Sequence, residues 1–370
     1  MLNLELKLNP KIFDSDVEQK PIRDGYGEAL MELGEKNANV VVLTADLAES
    51  TRVHKFAEKW PERFIECGIA EQNMAGIAAG LAVSGKIPFI SSYATFSPGK
   101  NWETIRTTII YNSANVKIAG HHSGIVTGPD GATHQATEDI AITRCWPNIK
   151  VISPCDAIEA KKATLYSAEI YGPVYIRFVR DKTPVITTEE TPFRFGKIEC
   201  FWESDNPQIA IFATGHLVYQ ALLAAKELEE EGIGTCVLNV HTIKPLDVEK
   251  IFEVASKVKG IVTVEDHQVA GGIGSAIAEV LVNAEKQPPG YKPDNLPGSK
   301  PDLSGGHRGN ISGNYPGKFI VPPIIFIGLQ DTFGESGSMQ DLLRKYKMDK
   351  SAIKEAVKNL YEWKRRNLQN

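Results

Sequence analysis

The sequence predicts an α/β fold made of two open, twisted sheets with helices on both faces, the first of them mainly parallel. Short β-branched runs alternate with stretches long enough for crossover helices, which is the pattern of a parallel sheet covered on both sides. The alternation pauses over a Pro-, Glu- and Thr-rich stretch, Thr183–Pro207, and then restarts. The length of 370 residues leaves room for two or three ordinary domains.

In order along the chain, Val40–Leu43, Pro88–Ser92, Val116–Ala119, Lys150–Ser153 and Val174–Val179 read as strands. Three of them run straight into polar or turn residues: Thr44-Ala45-Asp46, Gly120-His121-His122 and Ser153-Pro154. Ligands of open α/β sheets bind at such carboxyl ends. Between the first two strands, Cys67–Val83 reads as a helix of unusually small residues, with Gly76 and Gly80 four apart. Each interior glycine costs a helix about 1 kcal/mol against alanine, so a close-packed partner on that face is expected. Thr183–Pro207 reads as a connection with at most one hairpin. The second series follows: strand Gln208–Ala213, helix Leu217–Glu231 stopped by Gly232, strands Thr235–Val240 and Ile261–Glu265, and helix Ser275–Asn283 after the turn Gly271-Gly272-Ile273-Gly274. That turn lacks the full GxGxxG fingerprint and reads as structural. Gln287–Pro323 is dense in Pro and Gly, which predicts a long surface or interface loop. Strand Ile324–Ile327 and helices near Met339–Tyr346 and Ser351–Trp363 complete the chain.

Composition narrows the class of function. With 42% hydrophobic and 24% charged residues the chain matches a soluble globular protein, and disorder or a fibrous repeat is excluded. The formal charge of 41 − 46 = −5 gives no general basic footprint for nucleic acid or anionic membrane. Cys67, Cys145, Cys155, Cys200 and Cys236 are odd in number and show neither CxxC spacing nor a disulfide framework, so reduced thiols and a cytoplasmic setting are expected. No run of 18 apolar residues and no signal-peptide pattern occurs, which predicts neither a membrane span nor export by that route.

Glu71 is the only charge in the Cys67–Val83 run. In one reading it is a first-turn carboxylate stabilised by the helix dipole. In the sharper one it is held in a dry interface with raised proton affinity, ready to exchange a proton with a ligand nitrogen. Three of the eight histidines lie in one glycine-rich loop, Gly120–Gln135, directly after a strand. A zinc reading of them needs further ligands at suitable spacing, and no metal ligand is assigned in this chain.

Several separated segments, in the right order, then carry a resemblance. Gly68–Phe96, GIAEQNMAGIAAGLAVSGKIPFISSYATF, resembles the pyrimidine-binding domain of the transketolase family of thiamine-diphosphate enzymes. Arg23–Leu30, Thr44–Thr51, His121–Asp139, Val262–His267 and Asp331–Gly337 extend the similarity over most of the chain. The resemblance implies a pyrimidine-binding domain over 1–185, a linker over 186–207, and a mixed-sheet C-terminal domain over 208–370 interrupted by the 287–323 insertion.

It also implies roles. Glu71 matches the glutamate that hydrogen-bonds the aminopyrimidine and promotes its imino tautomer, a task for one dry carboxyl because water would compete for the bond. Tyr93 and Phe96 match aromatic positions that pack on the pyrimidine, and Asp46 a further cofactor-facing position. Asp130 matches a group that recognises substrate hydroxyls at the reacting end, and His134 one that moves a proton near the cofactor amine and substrate carbonyl. One of His121 and His122 is expected to reach the substrate. Arg23, Ser50 and Arg180 match positions that hold a sugar phosphate, for which the guanidinium fork is suited.

The family binds the cofactor's diphosphate, with Mg²⁺ or Ca²⁺, through a GDG motif in another domain, and this chain has no GDG. The resemblance therefore implies one half of a split transketolase, completed by an N-terminal subunit that carries most of the metal site, as an α2β2 heterotetramer. A 1-deoxyxylulose-5-phosphate synthase half and a 2-oxoacid dehydrogenase beta subunit would share Glu71, but Arg23, Ser50, Arg180 and the His121-His122 pair favour a phosphorylated sugar. A non-enzymatic scaffold subunit would be expected to have lost Glu71 or His134, and both are present.

Overall fold

The computed structural model describes residues 1–283 and 320–367, with side chains from 364 onward left undescribed. The strands, in chain order, are β1 (Gln19–Pro21), β2 (Val40–Thr44), β3 (Phe64–Glu66), β4 (Ile87–Tyr93), β5 (Lys117–His121), β6 (Lys150–Ile152), β7 (Val174–Arg177), β8 (Lys182–Pro184), β9 (Glu199–Glu203), β10 (Ile209–Ala213), β11 (Thr235–Asn239), β12 (Thr242–Lys244), β13 (Gly260–Gln268) and β14 (Ile324–Leu329).

Among the described residues the first sheet runs β12-β6-β7-β5-β4-β2-β3. All its pairings are parallel except β12 on β6. Its strands are apolar on both faces, as parallel strands between two helical layers must be. In β2, Val40 and Val42 face the helices Ile22–Lys36 and Ala157–Glu169, while Val41 and Leu43 face the helix Glu71–Val83. The second sheet runs β14-β13-β10-β11-β9 and is mixed, β9 being antiparallel to β11. Its two faces are covered by the helices Leu217–Glu230 and Lys350–Asn367 on one side and Val248–Ala255 and Ile273–Val282 on the other. A small third sheet pairs β1 antiparallel with β8, and the two larger sheets with their helices give the expected α/β architecture.

Three particulars differ from the sequence reading. The small-residue helix begins at Glu71, four residues later than expected, because Gly68 takes a left-handed φ of 64° and breaks the segment before it. The stretch read as a connection with at most one hairpin instead gives β9, a strand of the second sheet paired with β11. Strand β12, from the second half of the chain, closes the edge of the first sheet. The insertion expected at Gln287–Pro323 lies outside the described residues up to residue 319. No described helix is long and apolar enough to cross a membrane.

Candidate active site

The carboxyl ends of β4, β5 and β7 bring the site together, as the polar residues that follow these strands predict. Glu71 opens its helix and is only 2% exposed. Its Oε2 accepts a hydrogen bond from Lys100 Nζ at 2.7 Å, and its backbone carbonyl accepts one from Asn101 Nδ2 at 3.0 Å. Lys100 is half-exposed, so a buried carboxylate is linked to the surface through one cation. Nothing in the residue pattern pointed to Lys100: its contact depends on the broken helical turn Thr95–Lys100 that follows β4.

Tyr93 ends β4 and Phe96 stands on that same turn, their rings near-parallel with centroids 5.8 Å apart. His122 stacks on Tyr93 at 3.7 Å, and His134 stands edge-on to both Tyr93 and Phe96 at 5.9 and 5.5 Å. These four rings form a wall of flat surfaces beside Glu71's segment, suited to a planar heteroaromatic ring. Thr133 Oγ1 lies 2.8 Å from His134 Nδ1, which leaves Nε2 as the nitrogen without that partner.

The two adjacent histidines separate cleanly. His121 ends β5, is fully buried, and sits between Phe178 and Tyr26 with neither ring nitrogen paired. His122 adopts a left-handed φ of 55°, which turns its ring back onto Tyr93. Its Nε2 lies 4.0 Å from Asp130 Oδ2, and the same oxygen lies 3.8 Å from Arg180 Nε. Burial, then the charges of Arg23 and Arg180, push the His122 imidazole down to about 2, so it is neutral at physiological pH.

Arg23 Nη1 donates to the Ser50 carbonyl at 2.8 Å. Burial, then the charges of Arg52 and Arg180, lower its guanidinium to about 10, a sign that three arginines share one region. Arg52 escaped sequence reading. Its left-handed φ of 67° folds it back to pair with Asp24 at 2.6 Å and to donate to the Glu49 carbonyl. Asp46 lies at the end of β2, the neighbour of β4, with its N–H on Glu66 Oε1 at 2.7 Å. His122 and Arg180 thus meet at the Asp130 carboxylate, with Arg23 close enough to feel the Arg180 charge, and His121 is turned into the core.

The glycine turn at 271–274 holds no phosphate cradle. Ile273 and Gly274 donate their N–H groups to the Glu265 carboxyl at 2.7 and 3.0 Å, and a Cβ on Gly272 would meet Glu265 Oε2 at 1.8 Å. Among the described residues no group of three or more His, Cys, Asp or Glu side chains is arranged to hold a metal ion.

Known proteins are similar to this chain over most of its length. The family model described as the pyrimidine binding domain of transketolase matches residues 18–185, and that of the transketolase C-terminal domain matches 199–290. A putative transketolase C-terminal section from Methanocaldococcus jannaschii is 41% identical, over 91% of this chain and 95% of its own length. A 6-deoxy-6-sulfo-D-fructose transketolase subunit from a Clostridium species is 35% identical, over 95% of this chain and 98% of its own. A solved structure titled split gene transketolase, inactive beta4 tetramer, superposes with a TM-score of 0.76 at 39% identity, over 92% of this chain and 98% of that one.

Proposed function

The chain belongs to the transketolase family as a split, transketolase-like subunit, and on that premise we propose that it supplies the pyrimidine-binding half of a thiamine-diphosphate site that transfers a two-carbon ketol unit from a ketose phosphate to an aldose phosphate. The observation that carries the reading is the buried Glu71 beside the Tyr93–Phe96 pair, in a chain without a GDG segment. Half of a cofactor site is here, and the other half belongs to an N-terminal subunit, with two copies of each chain in the assembly. The face of the Glu71–Val83 helix that carries Gly76 and Gly80 is where we place that subunit, since nothing else among the described residues lies within 4 Å of a Cβ at either glycine.

When bound, thiamine diphosphate supplies the nucleophilic carbon that accepts the ketol unit, and its diphosphate and divalent metal are held by the partner. The residues of this chain then divide the work. Glu71, buried away from water, would be the carboxyl that hydrogen-bonds the aminopyrimidine and holds or releases a proton there. Tyr93 and Phe96 would offer ring surface on which the flat pyrimidine packs. His134, with Nδ1 engaged by Thr133, presents Nε2 to move a proton at the substrate carbonyl oxygen. Neutral His122 and Asp130 read hydroxyl groups near the reacting end, where an uncharged imidazole both donates and accepts. Arg23 and Arg180, with the Ser50 turn, bind the acidic end of the sugar through charge-assisted hydrogen bonds.

The test is co-purification of this chain with its partner, followed by a coupled assay of the complex with xylulose 5-phosphate and ribose 5-phosphate beside one with pyruvate as donor. Ketol transfer between the sugars is expected, and Glu71→Gln should abolish most of it while leaving fold and assembly intact. Turnover of pyruvate in preference to the ketose, or near-normal transfer by Glu71→Gln, overturns the reading.

A further inference from the structure

The loop that presents His122, Asp130 and His134 hangs from the first sheet, but its inner side rests on the second half of the chain. Asp266, in the last third of β13, is 1% exposed. Its Oδ1 accepts from the Ile125 N–H at 2.9 Å and its Oδ2 from the Val126 N–H at 3.4 Å, the first two donors of the turn Ile125–Asp130. The carboxylate is itself seated: His216 Nε2 lies 3.1 Å from Oδ2, and Arg177 Nη2 donates to the Asp266 carbonyl at 2.6 Å while its Nε pairs with Asp139.

The loop is shaped to receive it. Gly124 has a left-handed φ of 78°, and a Cβ there would lie 2.0 Å from Asp266 Oδ2, so only glycine lets the backbone descend onto the carboxylate. Below the turn, Gln135 Nε2 ties the Ile125 carbonyl to the Glu335 carbonyl, at 3.0 and 2.9 Å. Gln268 N–H then continues the contact to the Thr137 carbonyl at 2.8 Å. Among the described residues the second domain gives no side chain to the aromatic wall or the arginine cluster, yet it holds both ends of the segment that carries the polar groups.

We propose that Asp266, oriented by His216, is a positioning residue of the substrate loop, through which the second domain fixes His122, Asp130 and His134 in register with the first sheet. The turn's two leading N–H groups belong to buried residues and, among the described residues, make no other hydrogen bond, so the carboxylate decides where the turn sits. The identity of the loop's polar groups as substrate ligands rests on the function proposed above, whereas the anchoring itself does not.

Two measurements test the inference separately. In the full chain alone, amide hydrogen exchange across residues 124–135 should speed up at least tenfold in Asp266→Ala and less in Asp266→Asn, which keeps one acceptor oxygen, while β2 and β4 exchange as in the unsubstituted chain. In the two-chain enzyme, Asp266→Asn and His216→Gln should lower kcat/KM for the sugar phosphates at least fivefold, mainly through KM, with thiamine diphosphate affinity within twofold. If Asp266→Ala does not fold, the Asn and Gln variants carry both arms. Unchanged exchange in 124–135 overturns the anchoring, and a loosened loop with unchanged kcat/KM overturns its role in catalysis. A two-chain enzyme that transfers no ketol unit at all defeats the functional reading, with the exchange arm still deciding the anchor.

Discussion

His121 and His122 are neighbours of identical chemistry with opposite fates, and the difference lies in one backbone angle. Strand geometry sends His121 into the core against Phe178 and Tyr26, and the left-handed turn at the next residue lays His122 over Tyr93 in the site. We expect His122→Ala to cut kcat/KM for the ketose phosphate at least tenfold, about 1.4 kcal/mol of transition-state binding. By contrast His121→Phe keeps the aromatic stack, removes two unpaired buried nitrogens, and should change activity less than about threefold with stability equal or higher. Steady-state kinetics of the two variants decides it, and the reverse ranking would contradict the assignment. Glu71, Tyr93, Phe96, Asp130, His134 and the arginines Arg23 and Arg180 were legible because their types stand in recognisable segments. Lys100, Arg52 and Asp266 were not: each owes its place to a turn or to a partner more than 20 residues away, and their residue types are common on any surface.

At the scale of elements, glycines separate internal from external packing. The helices Ile22–Lys36 and Ala157–Glu169 cross at Gly25, where a Cβ would lie 1.8 Å from the Ala157 carbonyl oxygen. Backbone cannot yield as a side chain does, so Gly25→Ala should cost about 1–3 kcal/mol or more in urea unfolding. Among the described residues Gly76 and Gly80 face open space, and alanine there should instead add about 1 kcal/mol of helix stability each when the chain is alone. The same two substitutions should weaken association with the N-terminal subunit, measured by titration calorimetry; unaltered affinity would remove this helix from the interface. The alternation of strands and helices was readable because both faces of each parallel strand are buried, giving continuous apolar runs. The short edge strands β3, β9 and β12 were not, since three to five residues at a sheet edge carry too little periodicity to stand out.

Across the whole molecule the two halves are joined by buried polar groups as well as by β12. Asn239 Nδ2, at the end of β11, donates to Glu159 Oε1 at 2.8 Å, and the other oxygen accepts from the Cys155 N–H. Burial, then the charge of Asp156, push the Glu159 carboxyl up to about 7. A carboxyl whose value is higher folded than unfolded favours the fold while protonated, and that contribution is lost as pH rises from about 4.5 to about 7, on the order of 3 kcal/mol. Glu265, raised to about 8 by burial, acts in the same direction over a slightly higher range. The urea midpoint is therefore expected to fall between pH 6 and pH 7, below the range in which Lys117, lowered to about 7 by burial, would stabilise the fold as pH rises. Glu159→Gln should flatten that slope, since turning the Asn239 amide lets its unpaired Oδ1 accept from the new side-chain NH₂.

Two complete sheets and a shared core make this chain a self-sufficient fold, while Glu71 and its aromatic wall make sense as half of a site. The most direct test is one steady-state assay of this chain alone, of the N-terminal subunit alone, and of their mixture, each with xylulose 5-phosphate, ribose 5-phosphate, thiamine diphosphate and Mg²⁺. Ketol transfer is expected in the mixture and none in either chain by itself. Turnover by this chain without its partner would contradict it.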